Sequence, residues 1–156
     1  FLTRAFTVIF MATVIIWFMQ TFDTRLNVVE NSADSILAAL GRLVSPIFAP
    51  LGFGDWRMVT ALVSGFTAKE AVVSTFGVIL GVSTEQLGIA LHSLFTTASA
   101  ASFLAFCLLY TPCVAAVSTI KTELKSGWKT VGIVFAQCLV AWLAAFMVYH
   151  VGLLLT

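Results

Sequence analysis

Long uncharged apolar runs, separated by short polar connections, set the pattern of this chain. No residue from Ala5 to Phe22 is charged, while Arg4 precedes the run and Asp23 and Arg25 follow it. About 20 apolar residues cross a bilayer, so a spanning helix is expected over about 5–22, with Trp17 towards one interface. After a polar stretch from Thr24 to Asn31, Ile36, Leu37, Leu40, Leu43, Val44 and Ile47 recur at helical spacing opposite Ser35, Arg42 and Ser45. That pattern predicts a short amphipathic helix over about 33–47 lying along the membrane surface, ended by Pro46 and Pro50. Gly52 to Trp56 reads as a tight turn.

The next apolar segment, over about 57–82, would carry Lys69 and Glu70 near its middle if it crossed as one helix, at about 2.5–3.5 kcal/mol each. A broken helix avoids that cost. Gly65 weakens the helix, and Thr67 to Glu70 has the Thr-x-x-Glu spacing of a capping box. A short helix to Ser64, a break at Gly65 and Phe66, and a new helix from Ala68 to Leu80 are expected. Half-helices meeting inside a membrane present their ends and unwound backbone to a ligand. The alternative leaves Lys69 and Glu70 at the water interface, one snorkelling and one capping. Gly77 and Gly81 form a Gly-x-x-x-Gly face for helix packing.

Ser83 to Gln86 reads as a second capping box and opens a helix over about 84–96, which carries His92. From Gln86 to Ile120 there is no formal charge, a run of about 35 residues and too long for one crossing. The small polar run from Thr96 to Ser99 divides it. The helix that follows, over about 99–120, contains Pro112, which has no N–H to give and crowds the carbonyl one turn earlier, at Leu108. In a bilayer that freed carbonyl must find a partner. Lys121, Glu123, Lys125 and Lys129 then form a short basic connection that favours the cytoplasmic side, before a last span over about 130–155.

The composition agrees: 60% of residues are hydrophobic, 10% are charged and the mean hydropathy is +1.06. Soluble domains run at about 45–50% apolar and about 25% charged. The fold class expected is therefore an all-α integral membrane protein, a polytopic helix bundle with broken or re-entrant helices. A net charge of +1 without a basic stripe gives no nucleic-acid footprint. Cys107, Cys113 and Cys138 show neither zinc-site spacing nor the even count of a disulfide framework, which suits reduced thiols in a cytoplasmic membrane. No nucleotide-binding loop or catalytic triad is present, so the segment does not read as an enzyme and carries no cofactor of its own. Phe1 falls inside a helical pattern, so the chain reads as a piece of a longer polypeptide.

Candidate chemistry gathers at the two breaks. Cys113 follows Pro112 directly, and a thiolate can hold a soft or borderline metal. A lone cysteine is more often a small buried hydrophobe, and its residue type alone does not separate the two roles. A broken helix, a free carbonyl and a thiol at one level make a way-station for a cation. Sites of that kind must let the ion leave as well as enter.

The stretches Ser64-Gly65-Phe66-Thr67-Ala68-Lys69-Glu70-Ala71-Val72-Val73-Ser74-Thr75 and Leu108-Leu109-Tyr110-Thr111-Pro112-Cys113-Val114-Ala115 resemble the C-terminal membrane region of the bacterial ferrous iron transport protein B family. Asp55-Trp56-Arg57 upstream and Ser126-Gly127-Trp128-Lys129 downstream fit as well. The resemblance covers nearly the whole chain. It implies the second of two gate regions of a GTPase-coupled Fe²⁺ uptake transporter in the bacterial inner membrane, with a first gate region and a cytosolic GTPase domain elsewhere in the same polypeptide. By that resemblance Cys113 is the gate cysteine and Glu70 the acidic position of the path. Thr67, Lys69, Tyr110 and Thr111 are expected to line it beside Gly65 and Pro112. Fe²⁺ is then the transported substrate, the bilayer and the rest of the polypeptide are the partners, and a homo-oligomer stays open.

Two other classes compete. A nucleoside-transporter-like solute carrier would use broken helices to present Lys69 and Glu70 to hydroxyls, with no need of a thiol. A non-transporting membrane scaffold would use Gly77 and Gly81, but has little reason to keep two breaks beside reactive side chains.

Overall fold

The computed structural model describes residues 2–23, 25, 27–29, 31–66, 69, 71–110 and 113–155, with the side chains of residues 2–5, 32 and 84 left aside. Among the described residues the elements are helices: α1 (Leu2–Thr21), α2 (Ile36–Phe48), α3 (Trp56–Gly65), α4 (Ala71–Leu80), α5 (Thr84–Leu94), α6 (Thr97–Leu109), α7 (Val114–Leu124) and α8 (Gly127–Leu155). α8 and the α6–α7 stretch from Thr97 to Leu124 are each long and apolar enough to cross a membrane. The pairs α2–α3 and α4–α5 are bent by 103° and 80°, so the chain has two to four candidate spans. α1 contributes a shorter apolar helix from Phe6 to Thr21. The protein is an all-α, polytopic membrane protein.

Proline decides two local structures. Pro46 does not end α2 but lies inside it, and the helix runs on to Phe48. The proline removes the amide that would bond the Arg42 carbonyl. The Ser45 hydroxyl donates to that carbonyl instead, at 3.2 Å. The apolar stripe read along α2 also splits: Leu37 is fully buried, whereas Leu43 and Ile47 face outward. Gly41, with no Cβ, lets α2 lie against the start of α3, where a side chain would come within 2.9 Å of the Trp56 carbonyl oxygen.

Helix starts follow residue chemistry with one exchange of roles. Asp55 caps α3, its Oδ1 accepting from the Arg57 amide at 2.8 Å. Ser83 begins α5 without a side-chain cap bond. The reciprocal capping box forms at Thr96 and Ser99 instead: the Ser99 amide donates to Thr96 Oγ1 at 3.2 Å, and the Thr96 amide to Ser99 Oγ at 2.9 Å.

A chain of aromatic rings forms the centre. Phe53, in the connection between α2 and α3, is fully buried. It stacks on Phe48 at 5.5 Å and meets Phe103 edge-on at 5.4 Å. Phe103 continues to Phe95 at 5.1 Å. In the other direction Phe53 lies 6.0 Å from Phe106, which stacks on Tyr110 at 5.4 Å. Offset and edge-on pairs at these separations each add about 0.5–1.5 kcal/mol beyond burial. The ladder therefore runs from the start of α6 to its end and fixes Tyr110 where the helix stops.

Among the described residues the close helix–helix seam is not on α4. Gly81 lies past the end of α4 with φ +64 and has nothing within 4 Å of a Cβ position, and Gly77 meets only the Val82 carbonyl oxygen at 3.6 Å. The Gly77–Gly81 spacing thus makes no close helix contact among the described residues, because Gly81 serves as the left-handed residue that ends the helix. Small residues on α6 and α8 make the seam instead. Buried Ala98 and Ser102 face buried Ala141 and Ala145, and Ser102 Oγ donates to the Ala145 carbonyl at 2.8 Å. At Gly152 a Cβ would come within 3.0 Å of Ala98 Cβ. Small residues four apart allow this approach in a membrane.

Candidate functional site

The breaks after α3 and α6 are brought into direct contact. α3 ends in a tight turn, where the Phe66 amide goes to the Val63 carbonyl at 3.2 Å. That turn leaves the Leu62 carbonyl without its usual amide donor four residues on, and the Tyr110 hydroxyl reaches it from the other break at 3.5 Å. The Phe66 carbonyl in turn accepts from the Val114 amide, the first of α7, at 3.1 Å.

The reciprocal bond is made by Lys69. Because Pro112 has no N–H, the Leu108 carbonyl lacks its intrahelical donor. The Lys69 ammonium donates to it at 3.1 Å and lies 5.3 Å from the centre of the Tyr110 ring, within cation–π range. Each break thus supplies a side chain for the carbonyl the other leaves open.

Gly65 sits where the breaks touch. A Cβ there would overlap the Val72 side chain and stand 2.8 Å from the Tyr110 hydroxyl, so only glycine lets the tyrosine approach. Ser64, fully buried beside it, donates to the Thr60 carbonyl at 3.1 Å and is also within 3.4 Å of the Gln20 amide nitrogen on α1. Gln20 and Ser64 were missed as site residues. The available signal was a lone amide inside the first uncharged run, next in line with the hydroxyl that precedes Gly65.

Cys113 is the residue before α7, half-buried, a free thiol, and makes no side-chain cap bond to the helix. Glu70, Thr67, Thr111 and Pro112 lie outside the described residues. Among the described residues no three of His, Cys, Asp and Glu come together as a metal site.

Two cavities flank the contact. One of about 680 Å³ lies between α4, α5 and α6, lined by Lys69, His92, Thr96, Thr97, Cys107 and mostly apolar side chains. The other, about 780 Å³, lies between α1, α2, α3, α6 and α8 and is almost wholly apolar, with Cys138 in its wall. Among the described residues Tyr110 alone lines both.

Two helix breaks thus meet between two cavities in a chain of apolar helices. The chain belongs to the Gate family, whose model, described as nucleoside recognition, matches residues 2–127. It is similar to the Fe(2+) transporter FeoB of Methanocaldococcus jannaschii, 32% identical over 99% of this chain and 24% of the relative. It is 37% identical to the Fe(2+) transporter FeoB of Staphylococcus aureus strain COL, over 97% of this chain and 23% of the relative. With that of Campylobacter jejuni it shares 30% identity over 99% of this chain and 27% of the relative. These matches bear out the resemblance to the ferrous iron transport protein B family. The chain spans about a quarter of the length of these relatives. No solved structure matches it.

Proposed function

We propose that this chain is a non-catalytic gate region in the permease of a GTPase-coupled ferrous iron uptake transporter of the cytoplasmic membrane. The observation that carries the reading is the meeting of the two breaks, through the Val114–Phe66 backbone bond and the Lys69–Leu108 bond. Unwound backbone in a bilayer is tolerated where it is buried in protein or lines a cavity, and Phe66, Lys69 and Tyr110 at the breaks line the two cavities. Cys113 serves as a transient Fe²⁺ ligand at the Pro112 break. Glu70 supplies charge or a second ligand from the start of α4, and Thr67, Tyr110 and Thr111 line the path. A ligand set of one thiolate with oxygens binds moderately and exchanges, which conduction requires.

The test is Fe²⁺ uptake into cells carrying the full-length protein with Cys113→Ser, beside Glu70→Gln, at matched membrane expression. Loss of uptake with nucleotide hydrolysis intact supports the ion path through Cys113. Normal uptake in both variants sinks it.

A second reading is favoured by the family's description and by the cavity beside Lys69, whose 680 Å³ suits a small organic ligand. Nucleoside uptake by the same cells, lost in Lys69→Met and unchanged in Cys113→Ser, would select it.

A further inference from the structure

The Lys69 bond is an unusual answer to a problem the chain solves differently elsewhere. At Pro46 the orphaned Arg42 carbonyl is closed by Ser45, a neutral donor from its own helix. At Pro112 the orphaned Leu108 carbonyl is closed by a full positive charge arriving from another break. That ammonium also faces the π-surface of Tyr110 at 5.3 Å. A carbonyl lone pair and an aromatic face together attract cations of any identity, since both present partial negative charge. The Lys69 side chain is exposed and lines the 680 Å³ cavity. Tyr110 behind it is the wall shared with the second cavity.

We propose that the Leu108 carbonyl and the Tyr110 ring form a cation subsite which the Lys69 ammonium fills in this conformation, making Lys69 a tethered plug that a permeating divalent cation displaces. The proposal rests on the transporter reading and adds the closing element to it. With Lys69 in place the subsite holds a cation that cannot leave the chain, and its charge repels another. When a divalent ion arrives with twice the charge, it takes the carbonyl and the ring face, and the lysine withdraws into the cavity.

The experiment uses the full-length protein reconstituted in liposomes, with Fe²⁺ kept reduced by ascorbate and influx measured without nucleotide. Lys69→Met is expected to raise this leak about ten- to a hundredfold, the range in which a charged hydrogen bond is worth holding a closed state. Lys69→Arg, which keeps a cation, stays near wild type. A Lys69→Met protein that remains tight while still carrying nucleotide-driven iron overturns the proposal. Should Lys69→Met fail to reach the membrane, the unaltered protein decides through a small amine-reactive reagent read by mass spectrometry, with exposed Lys125 as reference. Faster labelling of Lys69 on adding Fe²⁺ supports displacement, and labelling indifferent to Fe²⁺ overturns it. A wild-type protein that carries no iron under any condition removes the transporter reading itself. Iron transport that depends on Cys113 but ignores Lys69 removes only the plug.

Discussion

The amide of Val114 donates to the carbonyl of Phe66 at 3.1 Å, so the first residue of α7 completes the turn that ends α3. At each break one carbonyl, that of Leu62 and that of Leu108, takes its partner from the other break. In water such groups could turn to solvent, but in a bilayer each unpaired one costs several kcal/mol. The breaks are therefore stable as a pair, and a change in one is felt in the other.

Gly65→Ala tests that coupling. The added methyl overlaps Val72 and presses on the Tyr110 hydroxyl, both held by packing. A cost of about 1–3 kcal/mol is expected from overpacking. Gly77→Ala is the contrasting control, since Gly77 lies within α4 and the nearest outside atom is 3.6 Å away. It should be neutral or stabilising by up to about 1 kcal/mol, the helix-propensity gain. Thermal unfolding of both variants in detergent measures the difference, and equal melting points would show that Gly65 is not a contact point.

Tyr110 separates the roles of ring and hydroxyl. Its bond to the Leu62 carbonyl is long, at 3.5 Å, and such a bond is weak. Tyr110→Phe should cost under about 1 kcal/mol and leave uptake close to wild type. Tyr110→Leu removes the stack on Phe106 and the face that meets Lys69. It also opens the wall between the cavities. Stability should fall by about 1–3 kcal/mol, from the lost aromatic and cation contacts. If Phe and Leu variants melt and transport alike, the ring does not close the wall.

Much of the helical layout was legible because helix ends are written in local chemistry. Proline at 112, glycine at 65 and the small polar run before Ala98 each act on their own turn, so the sequence marks where a helix stops. It marks less well what a stop is for. Pro46 looked like an end and is not, and Ser45 takes over the lost bond one residue away. The need of the Leu108 carbonyl for a partner was legible, since proline creates it. That the partner is Lys69 was not, because the contact is long-range and any of several polar groups could have met it. Phe53 lies by sequence in a turn, yet it is the buried hub of the aromatic ladder. A turn that carries one large ring between glycines can fold inward or outward, and only the neighbouring helices decide which.

The α6–α8 seam shows the same limit, since Ala98/Ser102 and Ala141/Ala145 have the four-residue spacing of Gly77/Gly81 and spacing alone cannot choose between them. Ser102 is fully buried, and its hydroxyl donates to the Ala145 carbonyl at 2.8 Å. Ser102→Ala should cost about 0.5–1.5 kcal/mol for the lost bond. Ser102→Leu should cost far more, because the helices would have to part. Detergent melting temperatures of the two variants give the ordering, and a tolerated leucine would mean that α6 and α8 are not in close contact.

The thiol chemistry can be tested apart from transport loss. If Cys113 touches the passing ion, a softer divalent metal should compete for it, since thiolate favours soft ions over Fe²⁺. Cd²⁺ is therefore expected to inhibit Fe²⁺ uptake, and the concentration for half-inhibition should rise about tenfold in the residual uptake of Cys113→Ser, equivalent to about 1.4 kcal/mol. The other two cysteines serve as internal controls. Cys107 lies in the wall of one cavity, one residue before the proline-freed Leu108 carbonyl, and Cys138 lies in the wall of the other, on the continuous helix α8. Cys107→Ser and Cys138→Ser should keep the wild-type sensitivity. A Cd²⁺ response that follows Cys107 instead would move the ion's route from the helix break into the cavity beside Lys69, and the gate would then be read around that cavity.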